Sequence, residues 1–170
     1  HNDYPPMINH NAFGNAWLVK GIETYDSPDS VMFNLSNKNI KDFVLAESKD
    51  VIGLETNIFD TRGTIELAKY KSNHLTYDFK SSANSYVVFS EIFYKGWNAY
   101  IDGELVSHNK VNYVLRGLNV PKGNHIIEFK FEPEIYSQGE NISLLASLTV
   151  IGLIVAAGLK AYKKNDVVTE

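Results

Sequence analysis

No cysteine occurs among the 170 residues. This excludes a disulfide framework and cysteine-ligated zinc, and it is compatible with either redox compartment. An excess of positive charge is missing too. Before residue 142 the chain carries 13 Lys and Arg against 18 Asp and Glu, a net of −5, with no basic patch. That balance argues against nucleic acid, whose phosphates demand clustered cations. The sequence has no Gly-rich phosphate loop, no Gly-x-Ser-x-Gly elbow and no His/Glu zinc helix, and its five histidines show no metal-ligand spacing. No cofactor or metal is expected. A charged n-region leading into the apolar core of a signal peptide is also lacking at the start, His1.

What the chain does have is an uncharged run from Ile142 to Leu159, interrupted only by Ser143, Ser147 and Thr149 and closed by Lys160, Lys163 and Lys164. Eighteen residues at a rise of ~1.5 Å reach roughly 27 Å, close to the hydrocarbon thickness of a bilayer. A buried core helix would break such a run with polar residues on its solvent face. Tyr136 and Tyr162 flank it where amphipathic rings sit at headgroup level. The run therefore predicts a transmembrane helix over 140–162. Positive charge stays on the cytoplasmic side, and the lysines follow the run while Glu132, Glu134 and Glu140 precede it. The part before the helix is expected outside and the tail 163–170 inside. Because that topology needs an exported N-terminal side, we expect the chain to be cut from a longer membrane protein. Gly152 and Ala156, four apart, suit close packing against another helix of that protein.

Residues 1–14 are polar and rich in Asn and Pro, and read as a linker. A small α+β lead-in is predicted over 15–60. Ala16 to Tyr25 has strand composition, and Ser27 and Pro28 supply an N-cap and a first helical residue. Val31 and Leu35, with Met32 beside them, give that helix an apolar side. Phe43 to Ala46 resembles a brief buried strand, and Glu47 to Asp50 a solvated turn.

Over 61–135 the pattern is that of an antiparallel sheet protein. Leu75, Tyr77 and Phe79 alternate with Thr76, Asp78 and Lys80, a strand with one dry face. Tyr86 to Phe89 is continuously apolar, which predicts a strand covered on both sides. Trp97, Ala99 and Ile101 alternate with Asn98, Tyr100 and Asp102. Asp102-Gly103 suits a two-residue hairpin, whose central positions need positive φ. Tyr113 to Val120 reads as a further strand. After the turn Pro121-Lys122-Gly123, residues His125, Ile127, Phe129 and Phe131 share one face. The fold class is mainly β, a β-sandwich or jelly roll, since strand order is not written in the period.

The block Val87 to Pro133, with Gly96-Trp97, Ala99-Tyr100, Asp102-Gly103, Asn112-Tyr113, Leu115-Arg116-Gly117, Pro121 and Gly123, resembles the C-terminal extracytoplasmic region of the YfhO family of bacterial polytopic membrane proteins. The earlier Gly14 to Val19 and a final membrane helix are similar to that family in order and spacing. Members are regarded as relatives of C-type glycosyltransferases, which use lipid-linked sugar donors at the outer membrane face. The resemblance implies a fragment without its active site, in a bacterial cytoplasmic membrane. Its expected partners are the remaining membrane helices of the parent and an envelope glycan or lipid-linked sugar.

Glycosyl transfer needs a carboxylate near the donor phosphate, and by residue type the candidates are Glu91 and Asp102. Asp102 is explained by its turn and Glu91 has no partner motif, so no catalytic residue is assigned. His125, on an apolar strand face, reads as a satisfied strand residue. Aromatic rings that stack on sugars are the better signal: Tyr94, Tyr100 and Tyr113 are candidate glycan contacts, with Arg116 available for a phosphate or carboxylate. Trp97 falls on the apolar face with Ile101 and is expected in the core. Arg116 equally suits a structural arginine tying strand carbonyls. The triplets at Asn34 and Asn141 match a glycosylation acceptor pattern that recurs by chance.

Overall fold

A computed structural model of the chain describes residues 12–51, 58–133 and 142–157. The tail at 163–170 and most of the linker at 1–14 lie outside the described residues, as do Tyr136, Tyr162 and the closing lysines. The chain divides into two compact units, His1–Phe131 and Glu132–Glu170.

The first unit is mainly β. Its elements in order are β1 (Ala16–Val19), β2 (Gly21–Tyr25), α1 (Pro28–Leu35), β3 (Phe43–Glu47), a short 3-10 turn at Ser48–Asp50, β4 (Thr64–Lys71), β5 (His74–Ser81) and β6 (Ser85–Ile92). They continue with β7 (Trp97–Ile101), β8 (Glu104–Val106), β9 (Asn109–Val111), β10 (Leu115–Val120) and β11 (Gly123–Phe131). Two antiparallel sheets form, one in the order β1-β6-β10-β9 and the other β4-β5-β11-β7-β8. They face each other across a core of Leu75, Tyr77 and Phe79 from β5, Phe89 from β6, Leu118 and Val120 from β10, and Ile127 and Phe129 from β11. Edge-to-face rings tie the layers: Tyr77 to Phe89 at 4.9 Å and Phe89 to Phe129 at 4.8 Å. Such contacts add ~0.5–1.5 kcal/mol each beyond area burial. Period-2 alternation positions every one of these side chains.

A third layer covers the other face of the four-stranded sheet. There β2 and β3 pair in parallel, with α1 between them in sequence. Val19, Ile22, Val44 and Ala46 pack against Tyr86, Val88 and Val111. β6 is thus buried on both faces, which is why Tyr86 to Phe89 is unbroken by polar residues. α1 starts as its sequence dictates: Ser27 Oγ accepts from the Ser30 N–H at 3.2 Å, and Pro28 takes the first turn. The Asp102-Gly103 hairpin also forms, with φ of 52° and 86° and Ile101 paired to Glu104.

Four local readings change. The stretch Ala16 to Tyr25 is two strands, because at Lys20 the chain leaves β6 and turns to β3, with the Lys20 and Gly21 N–H groups both donating to the Asp42 carbonyl. The strand expected from Tyr113 starts only at Leu115, since Asn112 and Tyr113 adopt φ of 46° and 71° in the turn from β9. Asn112 is buried there and mimics a strand neighbour, its Oδ1 accepting from the Leu45 N–H while its own N–H donates to the Leu45 carbonyl. Glu47 is not solvated but 3 % exposed, held by Lys110 and Lys49 at 2.8 Å each. Met32 turns away from the apolar side of α1 and is half exposed, leaving Val31 as its buried anchor.

In the second unit residues 142–157 are helical with every residue exposed. Ser147 and Thr149 return their hydroxyls to the carbonyls of Ser143 and Leu145, which satisfies them without an outside partner. Among the described residues no helix is long and apolar enough to cross a membrane. The span expected over 140–162 runs past both ends of this helix into residues outside the description.

Candidate functional site

Four strands carry the inter-sheet face one step beyond the sealed core. Arg116 has the parity of Leu118 and Val120 on β10, Trp97 that of Ala99 on β7, Phe131 that of Phe129 on β11 and Glu91 that of Phe89 on β6. All four line an open groove of about 440 Å³ at that end of the sandwich, and Tyr94 joins them. Pairing along β6 and β10 slips here: Arg116 faces Phe89 but Leu115 faces Ile92, so Ser90 and Glu91 are extra residues on β6. A bulge of this kind re-aims a side chain at a sheet end. Tyr94 stands in the turn after β6, closed by the Trp97 N–H donating to the Tyr94 carbonyl at 3.3 Å and by Gly96 at φ 101°. Only glycine adopts that φ freely.

The aromatic walls are graded from dry to wet. Trp97 and Phe131 are half-buried with centroids 5.4 Å apart, and Tyr94, 6.4 Å from Phe131, is 63 % exposed. Beneath them Arg116 is 2 % exposed, its guanidinium 4.2 Å from the Trp97 ring and 5.1 Å from Phe129. Nε donates to the Ile92 carbonyl at 3.0 Å, whereas Nη1 has no partner among the described residues. Burial pushes the Arg116 pKa down, and the nearby Glu91 charge opposes the fall. Two neighbours share this condition. Tyr77 Oη and His108 Nε2 are likewise buried without a partner among the described residues. Burial raises the Tyr77 phenol, and burial together with the Arg116 charge lowers His108 to about 4, so its imidazole is neutral at physiological pH.

The candidate contacts therefore separate. Tyr94 and Arg116 come together, while Tyr100 lies on the outward face of β7 with Lys130 Nζ 4.7 Å over its ring. Tyr113 occupies the β9–β10 turn near Val31 and Lys110. The structural reading of Arg116 holds at Nε, which ties a strand carbonyl, while Nη1 has no partner among the described residues. Trp97 packs against the core and also walls the groove. Phe131 and Glu91 were not among the candidate contacts, although their parity with Phe129 and Phe89 marks both positions. Asp102 serves its hairpin: its carboxylate accepts from the Ile126 N–H at 2.9 Å and pairs with His125 at 2.6 Å. Among the described residues no three His, Asp or Glu side chains cluster as metal ligands.

The profile of a family described as "Bacterial membrane protein YfhO" matches residues 50–143, more than half of the chain. The chain belongs to the YfhO family. An "Uncharacterized protein YfhO" from Bacillus subtilis (strain 168) is 27% identical over 82 residues, which cover 48% of this chain and 10% of that protein. The chain thus matches about a tenth of its YfhO relative's length. No solved structure matches the chain. The matched residues hold β4 to β11, so the groove lies within the part shared with YfhO proteins.

Proposed function

We propose that this chain is a non-catalytic accessory domain of a polytopic YfhO-type membrane protein, displayed on the outer face of a bacterial cytoplasmic membrane, and that its groove contacts the envelope glycan or lipid-linked sugar handled by the rest of that protein. Family membership supports the membrane setting. The uncharged run and the lysines behind it support a span over 140–162 with the tail 163–170 inside. The resemblance to glycosyltransferase relatives supports sugar chemistry in the parent. One observation carries the contact itself: exposed and half-exposed aromatic rings converge on the guanidinium of a buried arginine, one nitrogen of which has no partner among the described residues. Rings of this kind take the apolar C–H face of a sugar, and a buried donor gains most from a partner when water is excluded.

Glu91 lines the groove with Ser72, Ile92, the rings of Tyr94, Trp97 and Phe131, and the Arg116 cation. In the whole parent protein, removal of residues 60–135 and, separately, Tyr94→Ala should lower the rate of sugar transfer while the protein still inserts. Normal assembly and an unchanged rate in both variants would show that the domain is a structural cap instead.

A further inference from the structure

We infer that the groove selects an uncharged saccharide unit, recognised through hydroxyl groups that bridge Arg116 and Glu91. This rests on the reading of the groove as a glycan contact and names the class of glycan. The argument is one of donors and acceptors. The Arg116 guanidinium, which lines the groove, can only donate, and a Glu91 carboxylate beside it can only accept. A ligand group that meets both must donate and accept at once, which a sugar hydroxyl does and a phosphate or carboxylate does not. An anionic ligand would satisfy the arginine but set its charge against Glu91. The arginine charge is also already opposed by Glu91 and faced by the rings of Trp97 and Phe129. Beyond the groove, the net charge of −5 before residue 142 repels polyanions and leaves neutral chains unaffected. The volume of about 440 Å³ falls inside the ~300–1,000 Å³ range of small-molecule sites and suits a short stretch of chain rather than a protein surface.

The test titrates the full 170-residue chain in lipid nanodiscs with cellohexaose and maltohexaose as neutral probes and hexagalacturonate as the anionic probe, each at low and at physiological salt. Binding of a neutral probe with little salt dependence is expected, weakened roughly tenfold by Glu91→Gln or by Tyr94→Ala. Both variants keep the fold, since neither side chain is buried. Hexagalacturonate bound as tightly as the neutral probes, or bound alone with affinity falling as salt rises, would overturn the inference and leave the glycan contact standing. No binding of any probe would overturn both.

Discussion

Phe129 and Phe131 stand two residues apart on one face of β11, yet the first is fully buried between the sheets and the second walls an open groove. The same step separates Phe89 from Glu91, Leu118 from Arg116 and Ala99 from Trp97. One strand period thus divides a sealed core from a site in all four strands. In the rungs just before the last, the face is packed by Tyr77, Phe89, Ala99, Leu118, Ile127 and Phe129, which are apolar or, like Tyr77, mostly so. At the last rung β6 and β10 change chemistry, to Glu91 and Arg116, while β7 and β11 present the rings of Trp97 and Phe131, and the sandwich aims all four.

The sealed side of this comparison should break first and hardest. Phe129→Ala removes a ring in contact with Tyr77 and Phe89, and a loss of about 3–5 kcal/mol is expected in urea denaturation. Next comes Gly117→Ala on β10, where a Cβ would meet the Tyr86 ring at 2.5–2.9 Å. Tyr86 is fully buried and cannot yield, so overpacking of about 1–3 kcal/mol should appear as a lowered Tm.

A smaller effect belongs to the hairpin end, away from the groove. Asp102 holds His125 above its ordinary 6.5, and His125 first, with the Ile126 N–H, holds Asp102 below its ordinary 3.8. The raised histidine adds stability that is complete below about 6.5 and is lost as pH rises through its folded pKa. The lowered aspartate adds stability that is complete above about 3.8 and is lost as pH falls through its folded pKa. The pair contributes most between those values, and solvent screening at the exposed carboxylate keeps the gain below about 1 kcal/mol. A urea midpoint that falls on going from about pH 5.5 to about pH 8, with the fall reduced in His125→Asn, checks this. Smallest of all, Tyr94→Ala should shift stability by no more than about 0.5 kcal/mol, because its ring is mostly in water. Equal losses for Tyr94 and Phe129 would erase the distinction between core and groove.

Much of this fold is legible in the chain. The alternation of Leu75, Tyr77 and Phe79, the unbroken Tyr86 to Phe89 and the Asp102-Gly103 pair each state a local geometry that tertiary contacts then respect. What stayed hidden was set by partners far away in sequence. Lys20 divides two strands because Asp42 receives its N–H, and Asn112 leaves the strand pattern because Leu45 supplies its hydrogen bonds. Glu47 is buried because Lys110, 63 residues on, reaches it. The groove was half visible. Tyr94 and Arg116 stood out by residue type, but their separation from Tyr100 and Tyr113 depends on which face of β7 turns inward and on a turn at positive φ. Phe131 and Glu91 could have been found by continuing the parity of Phe129 and Phe89 past the end of the apolar run.

The measurement that bears most directly on the groove is amide and indole chemical-shift mapping of the full chain in nanodiscs as cellohexaose or maltohexaose is added. Shifts confined to Glu91, Tyr94, the Trp97 indole, Arg116 and Phe131, with Tyr100 and Tyr113 unmoved, are the expected result. Shifts centred on the outward face around Tyr100 and Lys130, or none anywhere, would contradict the placement of a sugar contact at the open end of the sandwich.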